Sequence, residues 1–250
     1  MDTVRTGAVA IRKLYKPSLF VEALGTFMFV LTIAMAAKNA GQMAPLAIGF
    51  MLGTLVFAFG YISGGHFNPA VTFGVLTIRA MPLWKAVAYI LCQVGGGIGG
   101  ALFALLLIGP DTKAYPAPEP NPNGEDHGLF AFRAILAEAI FTFILVSVVL
   151  NVACSRQKDN NFYGIAIGFT VSSAAWAVGG ISGGGFNPAV AFSLQLVKCF
   201  AGSCEAFAWF WIYWAAPMGG GLVAGIMFKL CSADEDFKGD AVPENTTETA

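Results

Sequence analysis

The phrase Asn-Pro-Ala occurs twice in this sequence, each time after a run of glycine, in GGHFNPAVTF and GGGFNPAVAF. The two copies consist of Asn68, Pro69 and Ala70, and of Asn187, Pro188 and Ala189. An asparagine before the first turn caps a helix, and proline suits the first helical position because it has no amide hydrogen to leave unpaired. Each phrase therefore predicts the start of a helix that presents a side-chain amide at its N-terminus.

Two such helix starts that face each other in a pore would discriminate against charge. A helix N-terminus carries roughly +0.5 of an elementary charge. A water molecule between Asn68 and Asn187 must turn its oxygen toward both amides, which interrupts a continuous chain of proton transfer, and the paired positive ends repel cations. A single Asn-Pro-Ala is typical of a capped helix in a loop, but two copies with shared flanking residues favour a passage for neutral molecules.

The glycine runs before the two phrases permit irregular backbone, which survives at membrane depth only inside protein or beside a wet cavity. We expect their carbonyl groups to form hydrogen-bond acceptors on either side of the asparagines. The loop residues are Gly64, Gly65 and His66 in the first copy and Gly183, Gly184 and Gly185 in the second. The histidine has no counterpart in the second copy, and it is expected either to line the cytosolic vestibule or to satisfy loop carbonyl groups.

Two glutamates are the acids that we place well inside apolar stretches, Glu22 in VEALGTFMFV and Glu138 in AEAIFTFILV. An intramembrane carboxylate is costly and needs a partner or a function. Because the two positions match, we expect each carboxylate to accept hydrogen bonds from the adjacent glycine loop and to hold it in place. A proton relay is the alternative, but neither acid has an obvious basic or histidine partner within the spans.

The elements that must position these residues are membrane helices. Hydrophobic residues make up 56% of the 250 positions and charged residues only 12%, about half of what soluble domains carry. Crossing ~30 Å of hydrocarbon takes roughly 20 helical residues. The stretches that reach this length are about 17–38, 43–62, 83–109, 130–154, 162–179 and 205–231, and two shorter ones, about 69–78 and 188–198, follow the Asn-Pro-Ala phrases. The predicted fold is an all-α membrane protein with six transmembrane helices and two re-entrant half-helices.

The two halves of the chain repeat the same plan, since LAIGF also returns as IAIGF. Each half has three spans, so the second copy enters the membrane upside down, and such inverted repeats place a site at the midplane. The predicted organisation is a cytosolic tail over 1–16, a channel domain over 17–231 and an acidic cytosolic tail over 232–250. Within the domain, repeat one covers about 17–109, an exposed non-cytosolic linker covers 110–129, and repeat two covers about 130–231.

The charges and cysteines exclude several other classes of protein. With a cytosolic N-terminus, all but four of the 14 basic residues face the cytosol, as the positive-inside bias requires. The net charge of −1 excludes a nucleic-acid partner. We find no catalytic constellation, no cofactor motif and no metal-ligand spacing. Cys199 and Cys204 are expected to remain unpaired thiols, with a disulfide as the alternative if their compartment is oxidising.

The repeated Asn-Pro-Ala phrases, the glutamate in the first helix of each repeat and the six spans resemble the aquaporin, or major intrinsic protein, family. The resemblance covers about 17–231. It implies a homotetramer in membrane lipid in which every subunit has its own pore for water or small neutral solutes. It also implies an integral multi-pass membrane protein that is not an enzyme.

Family members select solutes at a narrow filter of four positions, which fall here on Ile48, Ala175, Gly184 and Val190. None of these residues has a polar side chain, and Val190 stands where the family commonly has arginine. Ala191 and the pair Tyr213-Trp214 resemble the water-conducting branch, so the resemblance implies a water channel. The alternatives are a broader channel for glycerol, urea, ammonia or hydrogen peroxide, and a member that acts mainly as a structural or junctional protein.

Overall fold

The computed structural model describes residues 17–109, 115–121 and 126–232, with only the backbone of His127. The predicted tail over 1–16, the tail beyond residue 232, and linker residues 110–114 and 122–125 lie outside the described residues. The basic residues of those segments, which contribute to the predicted orientation, therefore have no structural counterpart here.

The described part of the chain forms eight α-helices, joined by short 3₁₀ turns at Gly41–Met43 and Ala206–Trp209. The helices are α1 (Pro17–Asn39), α2 (Ala44–Ser63), α3 (Pro69–Thr77), α4 (Leu83–Ile108), α5 (His127–Val149), α6 (Tyr163–Ser182), α7 (Pro188–Phe200) and α8 (Ile212–Cys231). Helix α5 continues into a π-helical turn at Leu150–Cys154. Six helical segments are long and apolar enough to cross a membrane, which confirms the six predicted spans.

Helices α3 and α7 are the two half-helices that follow the Asn-Pro-Ala phrases. They contain 9 and 13 residues. At 1.5 Å per residue they are roughly 14 and 20 Å long, too short for a hydrocarbon core of about 30 Å. The sequence predicted both of them at nearly these bounds, because the asparagine cap and the proline define the first turn locally.

The helices pack in two equivalent sets, as expected for an inverted repeat. Helix α1 packs against α2 and α4 in the first set, and α5 packs against α6 and α8 in the second. Helices α2 and α6 meet across the boundary between the sets. Each half-helix packs on the last helix of the opposite repeat, α3 on α8 and α7 on α4. Each repeat therefore packs its half-helix against the other repeat, and the N-termini of the two half-helices meet where the repeats face each other.

Small residues allow the spanning helices to approach closely, as is usual in membranes. Where α2 crosses α6, a Cβ atom added to Gly53 would lie 2.8 Å from the carbonyl oxygen of Gly164. Where α4 crosses α1, a Cβ atom added to Gly96 would collide with the carbonyl of Ala23. These contacts fix the frame around the two loops.

Two expectations about the segments near α7 were wrong. Cys199 and Cys204 form a disulfide, because α7 ends at Phe200 and Gly202, with φ of 107°, turns the chain back on itself. The linker is not simply exposed either, since Tyr115 is buried and donates a hydrogen bond to the carbonyl oxygen of Ala101 at 2.8 Å. Burial raises the pKa of this phenol, so that it stays a donor.

Candidate pore site

Each Asn-Pro-Ala asparagine caps its own half-helix. The Oδ1 atom of Asn68 accepts a hydrogen bond from the backbone N–H of Ala70 at 2.8 Å. The Oδ1 atom of Asn187 accepts from the N–H groups of Ala189 and Val190 at 3.0 and 3.3 Å. The carbonyl oxygen of each side chain is therefore occupied, and the amide nitrogen points the other way.

Each asparagine also donates a hydrogen bond to the loop of the opposite repeat. Nδ2 of Asn68 donates to the carbonyl oxygen of Phe186 at 2.9 Å, and Nδ2 of Asn187 donates to that of Phe67 at 2.8 Å. An amide nitrogen carries two hydrogen atoms. One N–H group of each asparagine is thus held by the protein, and the second is left for a molecule between the loops.

The phenylalanine before each asparagine has an unusual backbone conformation. Phe67 and Phe186 both have φ of 46°, in the left-handed region that bulky residues rarely adopt. The conformation directs the backbone N–H of each phenylalanine to the buried glutamate of its own repeat, while its carbonyl faces the opposite asparagine. Hydrogen bonds on both sides of the residue stabilise a strained backbone that would otherwise cost about 1–3 kcal/mol.

The buried carboxylate of Glu22 accepts hydrogen bonds from four donors. Two come from the backbone N–H groups of His66 and Phe67, at 3.0 and 2.7 Å. The others come from Oγ of Ser63 at 2.6 Å and from Nε2 of Gln93 at 2.8 Å. A carboxylate offers about four lone-pair sites, so Glu22 is saturated by groups that surround the first loop.

Glu138 has the same position in the second repeat but three donors. Oγ of Ser182 donates at 2.7 Å, and the N–H groups of Gly185 and Phe186 donate at 2.9 and 2.6 Å. A buried tyrosine supports the end of the preceding helix in each repeat, since Tyr89 donates to the carbonyl of Ser63 and Tyr213 to that of Ser182. The hydrogen bonds expected from the two loops to the two glutamates are therefore present.

A cavity of about 40 Å³, measured as the space open to the centre of a water molecule, lies between the two loops. One water molecule needs roughly 10–15 Å³ by this measure, so the space is sufficient for a few. The polar part of its lining comes from Asn68, Asn187, His66 and the loop backbone. The apolar part comes from Phe29, Ile33, Leu52, Val71, Leu145, Val149, Ile167 and Val171. One side of the cavity therefore offers hydrogen bonds, and the remainder offers almost none.

Some of the other residues of the two repeated phrases line the cavity, and others end helices or are buried behind its wall. Gly65, Gly184 and Gly185 line the cavity with the asparagines. Gly64 and Gly183 instead end α2 and α6 in the left-handed conformation, with φ of 93° and 78°. The residues buried behind the cavity wall are Pro69, Ala70, Pro188 and Ala189.

Three of the four filter positions line the same cavity as the asparagines, namely Ile48, Ala175 and Gly184. Val190 is 2% exposed and belongs to the main hydrophobic core instead of the cavity lining. Its backbone N–H bonds to Asn187, and its short apolar side chain packs inward. At these three positions the cavity is therefore lined by apolar side chains and glycine backbone.

His66 lines the cavity, and its partner is a side chain and not a loop carbonyl. Its Nδ1 atom lies 3.0 Å from Oγ1 of Thr72, and its ring meets that of Tyr89 edge-on at 5.3 Å. The Thr72 hydroxyl donates to the carbonyl of Asn68 and accepts from Nε2 of Gln93. Because that hydroxyl hydrogen is already used, Nδ1 of His66 is the donor to Thr72.

Sequence reasoning missed several residues that support the loops. Gln93 was visible as a polar residue within an apolar span, which is itself a signal of function. Phe67 and Phe186 belong to the repeated phrase, but their role depends on a backbone angle that no residue type predicts. Among the described residues, no group of three histidine, cysteine or acidic side chains is placed to hold a metal ion.

The comparisons with known proteins agree with this geometry. The family model described as Major intrinsic protein matches residues 12–228. Aquaporin-8 of Notomys alexis is 32% identical over 225 residues, which cover 86% of this chain and 82% of that protein. The glycerol uptake facilitator protein-like 6 of Lactiplantibacillus plantarum is 31% identical over 218 residues, 86% of this chain and 97% of that one.

A solved structure has the same fold. The aquaglyceroporin from Plasmodium falciparum superposes with a TM-score of 0.74 at 20% identity, covering 87% of this chain and 98% of that one. With six membrane spans and a family match over most of its length, the chain is a multi-pass membrane protein for the transport of water or small solutes. It belongs to the major intrinsic protein family, the family of the aquaporins.

Proposed function

We propose that the protein is a passive channel that conducts water and excludes protons and ions. The observation that carries this proposal is the position of Asn68 and Asn187, which come from opposed half-helices and line one cavity. Each is fixed by a hydrogen bond to the opposite loop, so its second N–H group has a defined direction. A fixed pair of donors is what an oriented water molecule requires.

The proposed mechanism follows from the unequal lining of the cavity. A water molecule between the asparagines accepts hydrogen bonds from both amides, so its two hydrogen atoms point away from them, toward neighbouring water molecules on either side. Neither neighbour can pass a proton through that oxygen, because its lone pairs are occupied. The positive ends of α3 and α7 add a barrier to cations. The apolar wall offers no alternative partner, which keeps water weakly held and mobile.

A second candidate function is a broader channel for small neutral solutes such as glycerol, urea, ammonia or hydrogen peroxide. The filter positions that line the cavity are Ile48, Ala175 and Gly184, which carry no polar side chain. The family's usual arginine position holds Val190, so the charge and the hydrogen-bond donors of that side chain are absent. The similarity to a protein named for glycerol uptake supports the same candidate.

The proposal also includes an assembly and an orientation. We place both termini in the cytosol, because this satisfies the bias of the basic residues. We place four subunits side by side in the lipid, each with its own cavity, as the family resemblance implies. The half-helices of both repeats lie within one chain and close the cavity without a partner subunit, so conduction would be a property of the single subunit.

Stopped-flow light scattering on vesicles with the purified protein tests both candidates. Gradients of an impermeant solute, glycerol and urea give the permeability for each species, and a pH-sensitive dye inside the vesicles gives proton flux. We expect water permeability well above that of protein-free vesicles, with unchanged proton flux. Glycerol flux close to the protein-free value would favour the water-selective function. Water permeability no higher than in protein-free vesicles would refute the channel.

A further inference from the structure

One part of the linker, residues 115–121, is bound to the protein near the second glycine loop. At its start, the Tyr115 hydroxyl donates to the carbonyl oxygen of Ala101 at 2.8 Å. At its end, the backbone N–H of Asn121 donates to the carbonyl of Ile181 at 2.9 Å, and its Nδ2 donates to that of Gly180 at 3.0 Å. The linker segment 115–121 is thus attached to α4 at one end and to the last turn of α6 at the other.

The middle of the linker segment 115–121 is held by helix α7. Nε2 of the fully buried Gln195 donates to the carbonyl oxygen of Pro118 at 2.7 Å. One turn later Nζ of Lys198 lies 3.9 Å from Oε1 of Glu119, whose side chain is about half exposed. An ion pair so exposed to solvent contributes little to stability. The hydrogen bond from the buried amide of Gln195 is therefore the main contact between α7 and this segment.

Pro118 in turn touches the second glycine loop. A Cβ atom added to Gly183 would lie 2.7 Å from Cα of Pro118, so the two residues are in close contact with no space for a side chain. The next residue, Gly184, has φ of 67° and lines the cavity at a filter position. The N–H of Gly184 has only a long hydrogen bond, to Oγ of Ser182 at 3.3 Å, and the carboxylate of Glu138 first reaches the next residue, Gly185. Pro118 is therefore the contact from outside the loop that limits movement of the Gly183–Gly184 backbone.

We propose that Gln195 is a positioning residue for solute selectivity. By holding Pro118 against Gly183, it fixes the backbone of Gly184 and keeps this part of the cavity narrow. The consequence is that water passes more easily than a larger neutral molecule such as glycerol or urea. The inference rests on the proposed channel function. It is specific to one half of the chain, because the position that corresponds to Gln195 in the first half-helix is Leu76, which has no such donor.

The test is the ratio of glycerol to water permeability in vesicles with the Gln195→Ala variant. Loss of one buried hydrogen bond makes a displaced linker segment 115–121 about fivefold more populated, so the ratio should rise by up to about fivefold. A ratio does not depend on the number of folded channels per vesicle. A purely structural role, which lowers water and glycerol flux together, would leave it unchanged.

Two further variants make the test specific. Asn121→Ala removes a contact at the far end of the linker segment 115–121 and should raise the ratio in the same direction but by less. Ser193 faces α4, since a Cβ atom added to Gly97 would lie 2.5 Å from its Oγ. The Ser193→Ala variant changes a residue of the same half-helix as Gln195 that is also fully buried, but whose hydroxyl has no hydrogen-bond partner among the described residues. It is the matched control and should keep the wild-type ratio.

The failure of this inference is distinct from failure of the channel itself. A wild-type protein that conducts no water refutes the proposed function directly. If the wild type conducts water but Gln195→Ala and Asn121→Ala keep its glycerol-to-water ratio, the positioning role is overturned. A shift of equal size in Ser193→Ala would overturn it too. Should Gln195→Ala fail to fold, Asn121→Ala decides, because its exposed side chain can be removed without opening the core.

Discussion

The two glycine loops have the same backbone but different neighbours. In the first loop, His66, Thr72 and Gln93 form a hydrogen-bonded group that reaches Glu22. In the second, the corresponding positions hold Gly185, Ala191 and Pro217, which offer no side-chain hydrogen bonds. The second loop instead touches the linker at Pro118. Beyond the glutamate that each loop binds, the first loop is supported by polar side chains beside it, and the second by the linker at Pro118.

Other contacts are the same in the two loops. The strained phenylalanine, the glutamate beneath it and the exchanged asparagine bond are present in both loops. Those shared contacts define the half-helix ends. The unshared contacts differ in kind, because the first loop has a hydrogen-bonded group of side chains and the second has the linker at Pro118.

The largest expected effect is on stability when one glutamate loses its charge. Glu22→Gln replaces one acceptor oxygen by an NH₂ group that faces existing donors, and each buried donor left unpaired costs about 1–3 kcal/mol. Each oxygen of Glu22 accepts from two donors, so the NH₂ group faces two of them in either orientation. In Glu138→Gln the NH₂ group can take the place of the oxygen that accepts from Phe186 alone, so this variant should destabilise less. Thermal unfolding in detergent measures both. A larger loss of thermal stability in Glu138→Gln than in Glu22→Gln would contradict this ranking. Glu119→Gln, at an exposed position, is the control.

The next effect is on charge exclusion. Asn68→Asp and Asn187→Asp replace N–H donors at the centre by a negative charge that offsets the roughly +0.5 charge of each helix end. Because each asparagine caps its own half-helix and donates to the opposite loop, both variants should admit protons and cations to a similar extent. Ion currents in oocytes measure the effect. Asn151→Asp, outside the cavity, should show none, and unchanged currents in both pore variants would contradict the role assigned to the helix ends.

A smaller effect is expected at the filter position in the first turn of α7. Val190→Arg cannot keep a charged group in the apolar core without a large cost, so the side chain should turn into the cavity and narrow it. Permeability to glycerol and urea should fall about tenfold more than permeability to water, a difference of ~1.4 kcal/mol. Vesicle swelling compares the solutes. Equal losses for water and glycerol would argue against a filter at this position.

The smallest effect concerns the group that only the first loop has. Thr72→Ala removes the acceptor of His66 and Gln93 and should cost about 1–2 kcal/mol of stability. The reverse change at the matching position, Ala191→Thr, should not stabilise the protein, because the counterparts of His66 and Gln93 are Gly185 and Pro217, which have no side-chain donor for the new hydroxyl. Chemical denaturation of the two variants side by side gives the comparison. A stabilised Ala191→Thr would show that the second loop has an unrecognised donor.

The sequence predicted those parts of the site that depend on local chemistry. The helix starts at Pro69 and Pro188 were predictable because an asparagine cap and a proline act within one turn. The positions of Val190 and Pro118 were not predictable in the same way, because they depend on contacts between residues far apart in the chain. The disulfide between Cys199 and Cys204 depends on a single left-handed glycine.

The exchange of asparagine bonds between the two repeats has a consequence for synthesis on the ribosome. When the first three spans have entered the bilayer, the amide of Asn68 and the carbonyl of Phe67 still lack Phe186 and Asn187, which are more than a hundred residues downstream. The opening between the loops can take its final form only after the last helices arrive. A nascent half-molecule therefore cannot form the hydrogen bonds that fix either asparagine, and the pair of loops is completed only when translation of the second repeat is finished.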